Sequence, residues 1–227
     1  MNAIFRIPTV REFFSKARFL VLTKMRGLQT DRDLTRIEKS QYSKSAFENY
    51  VSIPERINFL VSAVGTARRV KDYDKLLSLG PRFESELFGY RALGYKKKQI
   101  YALDTFSYSK QISVGNMHSM EYSDDSFDIV VGGWILAYSQ DPTLAMKEIF
   151  RVTKRGGLAV LAWDLASEID NHSQNFDELY LPSVHNIVTP ISDVIANWTR
   201  HSFFVGHVSW SLERRIVLVI LQKPIID

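Results

Sequence analysis

Cysteine is absent from the 227-residue chain. That excludes a disulfide framework, a thiolate metal site and a cysteine nucleophile, and it fits a reducing compartment such as the cytoplasm. No apolar run approaches the length of a transmembrane helix, and no repeat or low-complexity tract stands out. An excess of charge of one sign is also small. Lysine and arginine number 29 against 25 acids, leaving a net charge of +4. Much of that excess sits near the N-terminus, so no nucleic-acid partner is expected. What remains is an ordinary globular composition, 45% hydrophobic and 24% charged, on a chain long enough for one elaborated domain.

The N-terminal stretch carries Arg6, Arg11, Lys16, Arg18, Lys24 and Arg26 against a single acid, Glu12. Thr9 and Glu12 have capping-box spacing, which predicts a helix starting near Val10. Phe13, Ala17, Leu20 and Val21 then share one side of a basic amphipathic helix. Lys16, Arg18 and Lys24 interrupt it too often for a secretory h-region. Two readings follow for residues 9–26: an apolar side packed on the domain with solvated charges, or peripheral contact with a membrane surface or partner. Residues 30–45 are polar and read as a linker or solvated helix. A second capping-box spacing at Ser52-Ile53-Pro54-Glu55 starts another helix, with Ile57, Leu60, Val61 and Val64 inward and Gly65 as its stop. Residues 1–70 are thus expected to form a helical arm or cap, followed by the main domain over 71–227.

From Lys75 onward, short apolar runs alternate with helical ones. Strands are expected at Leu76–Leu79, Ile100–Leu103, Ile112–Val114, Phe127–Val131 and Leu158–Trp163. Helices are expected at Glu84–Leu93 and after Asp141-Pro142, the latter closed by Lys154-Arg155-Gly156-Gly157. Phe203–Trp210 and Arg215–Leu221 read as a closing antiparallel pair. The fold class is therefore α/β: an open, Rossmann-like, mainly parallel sheet with an antiparallel C-terminal strand pair, plus N-terminal helices. Ligands of such sheets bind beyond the carboxyl ends of the strands. Here those ends carry Gly80-Pro81-Arg82-Phe83-Glu84, then Asp104, then Gly115-Asn116-Met117-His118.

The run from Lys75 to Trp163 resembles the S-adenosylmethionine-binding core of class I methyltransferases, type 11-like. Gly115-Asn116-Met117-His118-Ser119-Met120-Glu121-Tyr122-Ser123-Asp124-Asp125-Ser126-Phe127-Asp128-Ile129-Val130 is similar to the family's GD-x-x-x-L-P-F-x-D-x-S-F-D-x-V passage. Lys147-Glu148-Ile149-Phe150-Arg151-Val152-Thr153-Lys154-Arg155-Gly156-Gly157 resembles its E-x-x-R-V-L-K-P-G-G helix and turn. The first loop departs from the family, with Ser78 where an acid is usual and Pro81 and Arg82 after Gly80. Proline removes an N–H donor there, and an arginine suits a carboxylate.

The resemblance implies S-adenosyl-L-methionine as cofactor and assigns roles by position. Gly80, Pro81, Arg82 and Glu84 would line its methionyl part. Asp104, with Thr105 beside it, would hold the ribose hydroxyls. Asn116 would meet the adenine amino group and Met117 pack on the ring. Gly133 and Trp134 would border the methyl group and the acceptor. His118 is the candidate general base, although a histidine after a strand is often structural. Tyr138 and Trp134 read equally as pocket or core. His172 and His185 lack ligand spacing, so no metal is expected. Lys96-Lys97-Lys98 is a solvated loop.

The expected activity is methyl transfer to a small-molecule or glycan-type acceptor, with 166–200 and the N-terminal helices as a lid. The alternative is a non-catalytic binding or scaffold protein of the same fold. A nicotinamide-dependent oxidoreductase ranks behind both, because no G-x-G-x-x-G is present. Self-association is a further expectation.

Overall fold

A computed structural model describes residues 2–30, 50, 52–165, 198, 200–208 and 211–225. The chain divides into two compact units, Met1–Asn116 and Met117–Asp227.

In the first unit, helix α1 (Pro8–Arg26) leads to a short strand β1 (Gln29–Thr30) and helix α2 (Pro54–Ala67). Strand β2 (Leu76–Leu79), helix α3 (Glu84–Ala92), and strands β3 (Ile100–Asp104), β4 (Phe106–Ser107) and β5 (Ser113–Val114) follow. β2 pairs parallel with β3, and β3 parallel with β5. All four residues of β2 are buried, as a strand covered on both faces requires. β1 and β4 form a separate antiparallel pair, which the sequence pattern did not announce because two-residue strands carry no periodicity.

In the second unit, strand β6 (Phe127–Gly133) is followed by helix α4 (Pro142–Val152) and strands β7 (Thr153–Leu165), β8 (Arg200–Val208) and β9 (Ser211–Gln222). β6 and β7 are parallel, whereas β9 runs antiparallel to both β7 and β8. Ile129, Val130 and Val131 are buried in β6, as are Ala159, Val160 and Leu161 in β7, with Met146 and Ile149 of α4 also in the core. The α/β class, the parallel pairings and the antiparallel C-terminal pair match the expectation. The linker expected over 30–45 falls mostly outside the described residues. So do Trp210, His172, His185 and nearly all of the proposed lid over 166–200.

Several local expectations are corrected. α1 starts at Pro8 with Ile7 as its N-cap and no side-chain cap bond, so the Thr9–Glu12 box does not form. Glu12 instead accepts hydrogen bonds from the hydroxyls of Tyr50 (3.4 Å) and Ser52 (2.8 Å). That contact also engages Ser52, and Ile53 caps α2 without a side-chain bond. α2 runs through Gly65 to Ala67, where the glycine allows Leu93 to approach closely. The proline at the first position of each helix explains both starts without a capping box, since its missing N–H needs no partner there. The Asp141 cap does form, its carboxylate accepting from the Leu144 N–H at 2.9 Å. Lys154–Gly157 lies within β7 and not in a closing turn.

Gly157 has a steric reason. A Cβ there would sit 2.7 Å from the Lys154 carbonyl oxygen and 3.0 Å from that of Asp128, both backbone atoms. Finally, the apolar side expected of α1 does not pack inward. Arg11, Ser15 and Phe19 are its buried residues, while Phe13, Leu20 and Val21 are exposed.

Candidate functional site

Three strand ends named from the sequence are tied together in the first unit by backbone geometry. The Gly80 N–H donates to the Leu103 carbonyl at 2.8 Å, extending the β2–β3 pairing by one bond. The Gly115 N–H donates to the Asp104 carbonyl at 2.9 Å, which binds the end of β5 to the end of β3. The Arg82 N–H donates to Asp104 Oδ2 at 2.9 Å, so the carboxylate reaches back to the loop after β2. Gly80, Arg82, Asp104 and Gly115 therefore form one connected cluster.

The loop itself turns on left-handed backbone. Gly80 has φ +65°, which glycine adopts freely, but Arg82 has φ +40°, which costs a side-chain-bearing residue of order 1–3 kcal/mol. Pro81 is buried and Arg82 half-buried. The Pro81 carbonyl accepts from the Phe83 N–H within the same turn.

Asp104 is buried, and burial pushes its carboxyl above the ordinary carboxylate value, opposed by the N–H groups of Arg82 and Phe106. Its Oδ1 accepts from Phe106 N–H (3.3 Å) and from the Thr105 hydroxyl (3.4 Å). A carboxylate offers about four acceptor positions, so Oδ2, with one N–H bond from Arg82, retains capacity for a ligand hydroxyl.

Glu84 is placed differently from the other residues of its loop. Its carboxylate is buried and takes Arg18 Nε (2.5 Å) and Nη2 (3.0 Å), Gln111 Nε2 (2.9 Å) and the Ser109 hydroxyl. Its N–H donates to the Tyr108 hydroxyl at 2.9 Å. These contacts seat the first turn of α3.

Glu86 is a residue that sequence reasoning missed. Its Oε1 accepts from the Ser78 hydroxyl at 2.5 Å and from the Tyr90 phenolic hydroxyl at 2.8 Å, and burial pushes its carboxyl up. Ser78 occupies the position where an acid was expected, and Glu86 brings a carboxyl group to it from α3. The only advance signal was a glutamate eight residues on, inside an otherwise apolar helix face.

In the second unit, Met117 and His118 are half-buried, and His118 Nε2 lies 2.7 Å from Ser139 Oγ. Gly133 ends β6, and Trp134 follows at φ +60° with its ring buried. Arg82 and Trp134, the residues with left-handed backbone after β2 and β6, were both named from the sequence as site residues. Strained backbone of this kind concentrates at functional positions. Asn116, the last residue of the first unit, is exposed. Among the described residues no group of three His, Cys, Asp or Glu side chains is placed to hold a metal ion.

The motif residues around Asp128 and Glu148 prove to be architectural. Arg151 binds Glu148 (2.7 and 2.9 Å), Asp124 (2.8 Å) and the carbonyls of Tyr122 (2.7 Å) and Met120 (2.8 Å). Glu148 also accepts from the Met120 N–H at 2.8 Å, and Lys154 Nζ pairs with Asp128 Oδ2 at 2.7 Å. One guanidinium thus pins the acidic turn to α4.

Residues 89–161 match the family model described as a methyltransferase domain. No curated protein matches the chain. Among solved structures, the chain is similar to a SAM-dependent methyltransferase from Aquifex aeolicus (15% identity, TM-score 0.54, covering 80% of this chain and 98% of that one). It is similar to geranyl diphosphate methyltransferase in complex with SAM (12%, 0.55, 74% and 84%). It also resembles the [4+2]-cyclase SpnF (13%, 0.58, 95% and 97%). At these identities the likeness is one of fold.

Proposed function

We propose that this chain, which carries the core of the class I S-adenosylmethionine-dependent methyltransferases, binds that cofactor and transfers its methyl group to a small-molecule or glycan-type hydroxyl. The observation that carries the reading is the cluster of Gly80, Arg82, Asp104 and Gly115, with a buried carboxylate holding spare acceptor capacity. A fold shared with a [4+2]-cyclase does not fix a reaction, so the proposal rests on these residues.

The donor set suits an adenosyl amino acid. Asp104 would accept from ribose hydroxyls, with Thr105 orienting it. Arg82 would pair with the methionyl carboxylate beside Gly80 and Pro81, while Glu84 would keep the start of α3 in place. Asn116 would meet the adenine amino group and Met117 cover the ring. When bound, the cofactor supplies a sulfonium methyl that is already electrophilic. The protein's task is then mostly to hold an acceptor oxygen in line, at the edge formed by Gly133 and Trp134. His118, oriented by Ser139, would accept the acceptor's proton through its imidazole. The absence of cysteine supports a cytoplasmic setting.

Incubation of the full chain with methyl-labelled S-adenosylmethionine and a panel of sugars and small hydroxylated acceptors tests this. Label transfer to a hydroxyl that falls at least tenfold in His118→Ala supports the reading; no transfer to any hydroxylated acceptor, or transfer that His118→Ala leaves unchanged, overturns it.

A further inference from the structure

α1 is built inside out. The side it turns to the first unit carries Arg11, Ser15 and Phe19. Ser15 Oγ accepts from the Ser85 N–H at 3.0 Å, and Phe19, 2% exposed, meets the rings of Tyr108, Phe83 and Tyr50. The opposite side carries Phe13, Leu20, Val21 and Met25. Phe13 is 71% exposed, Leu20 and Val21 are each 55% exposed, and Met25 is 75% exposed. At about 100° per residue, Phe13, Leu20 and Val21 span an arc of roughly 100°, and Lys24 falls inside it. A contiguous apolar face of this kind on a folded protein marks a surface that something else covers.

The charges say what. Glu12 is the only acid in the first thirty residues, and it is half-buried and taken by Tyr50 and Ser52. Arg18 is committed to Glu84. Lys16 and Lys24 are left exposed on and beside the apolar face. The outward surface of α1 is thus apolar and cationic, with no acid on it. A second copy of the chain packed α1 against α1 would bring like charges together. An anionic lipid surface matches both features: it buries the rings and aliphatic chains, and it receives ammonium groups whose stems lie along the apolar strip.

We propose that α1 lies flat on an anionic lipid surface through Phe13, Leu20, Val21 and Met25, with Lys16 and Lys24 on the headgroups. No described helix is long and apolar enough to cross a membrane, so the contact is peripheral. The inference does not depend on the methyltransferase reading.

Sedimentation of the full chain with vesicles tests it. Phosphatidylcholine vesicles containing phosphatidylglycerol should pellet the protein, and pure phosphatidylcholine vesicles should not. Lys16→Glu with Lys24→Glu should weaken binding about fivefold for each lysine even before reversal of charge is counted, and raised salt should act in the same direction. Phe13→Ser with Leu20→Ser should abolish pelleting. All four side chains are exposed, so thermal melts of the variants should match the parent. No pelleting with anionic vesicles overturns the proposal, as does unchanged pelleting of either double variant. A dimer in light scattering that is lost in Phe13→Ser/Leu20→Ser, without vesicle binding, would assign the face to a second copy instead.

Discussion

Arg18 of α1 grips Glu84 at the start of α3 with two nitrogens, Nε to Oε2 at 2.5 Å and Nη2 to Oε1 at 3.0 Å. The carboxylate is fully buried, whereas 43% of the arginine side chain reaches solvent. The N-terminal helix is thereby fastened to the element that follows the candidate cofactor loop, by a pair whose buried half cannot find water if the other is removed.

Arg18→Ala should therefore destabilise the fold. Hydrogen bonds to charged groups contribute about 1.5–3 kcal/mol, reduced here to roughly 1–2 kcal/mol by the exposure of the arginine. A melting temperature lower by roughly 2–8 °C is expected. Arg18→Lys should lose less, keeping the charge but not the fork. Melts of both variants that overlay the parent would show that Gln111 and Ser109 suffice for Glu84.

Glu86 sets a pH dependence of known sign. Burial raises its carboxyl above the ordinary value of 4.5. Between that value and the raised one, the folded chain holds a proton that the unfolded chain has released, so stability falls as pH rises through this window. Above it the folded state bears the cost of a buried carboxylate. Glu86→Gln, which still accepts from Ser78 and Tyr90, should melt higher than the parent at pH 8 and level with it near pH 4. A Glu86→Gln melt below the parent at pH 8 would contradict this.

Arg151 is the corresponding prediction in the second unit. It holds Glu148 below its ordinary value, so the stability this pair supplies is present above pH 4.5 and lost as pH falls through the depressed value. Arg151→Lys should remove most of the bridging to Asp124, Tyr122 and Met120, because an ammonium cannot serve that fan of acceptors. We expect a loss of about 2 kcal/mol, read as a drop in melting temperature of roughly 4–8 °C that narrows below pH 4. Hydrogen exchange should quicken over residues 120–126.

The strands were legible because they are short apolar runs ended by Gly80, Asp104, Gly115 and Gly133, and within the first unit the ends at Gly80, Asp104 and Gly115 are joined by hydrogen bonds. The passage from Gly115 to Asp128 and the Glu148–Arg151 pair were legible as a family likeness, and within them Met120, Tyr122, Asp124 and Glu148 are the partners of the Arg151 clamp. Capping boxes at Thr9 and Ser52 misled because both patterns lack tertiary context: Glu12 found Tyr50 and Ser52, and proline had already opened each helix. The reversed packing of α1 could not be read from its periodicity. An amphipathic pattern shows that a helix has two sides, while burial of Phe19 in an aromatic cluster decided which side faces inward. Glu86 was hidden because its partner, Ser78, looked like the absence of a carboxylate.

Calorimetric titration of S-adenosylhomocysteine into the full chain, and into Asp104→Ala and Asp104→Asn, tests the central claim most directly. The parent should bind with an affinity on the order of micromolar, Asp104→Ala should show no binding, and Asp104→Asn should bind at least tenfold more weakly while melting within a few degrees of the parent. Absence of binding to the parent, or equal affinity in all three proteins, would contradict the assignment of Asp104 and the cluster around it as the cofactor site.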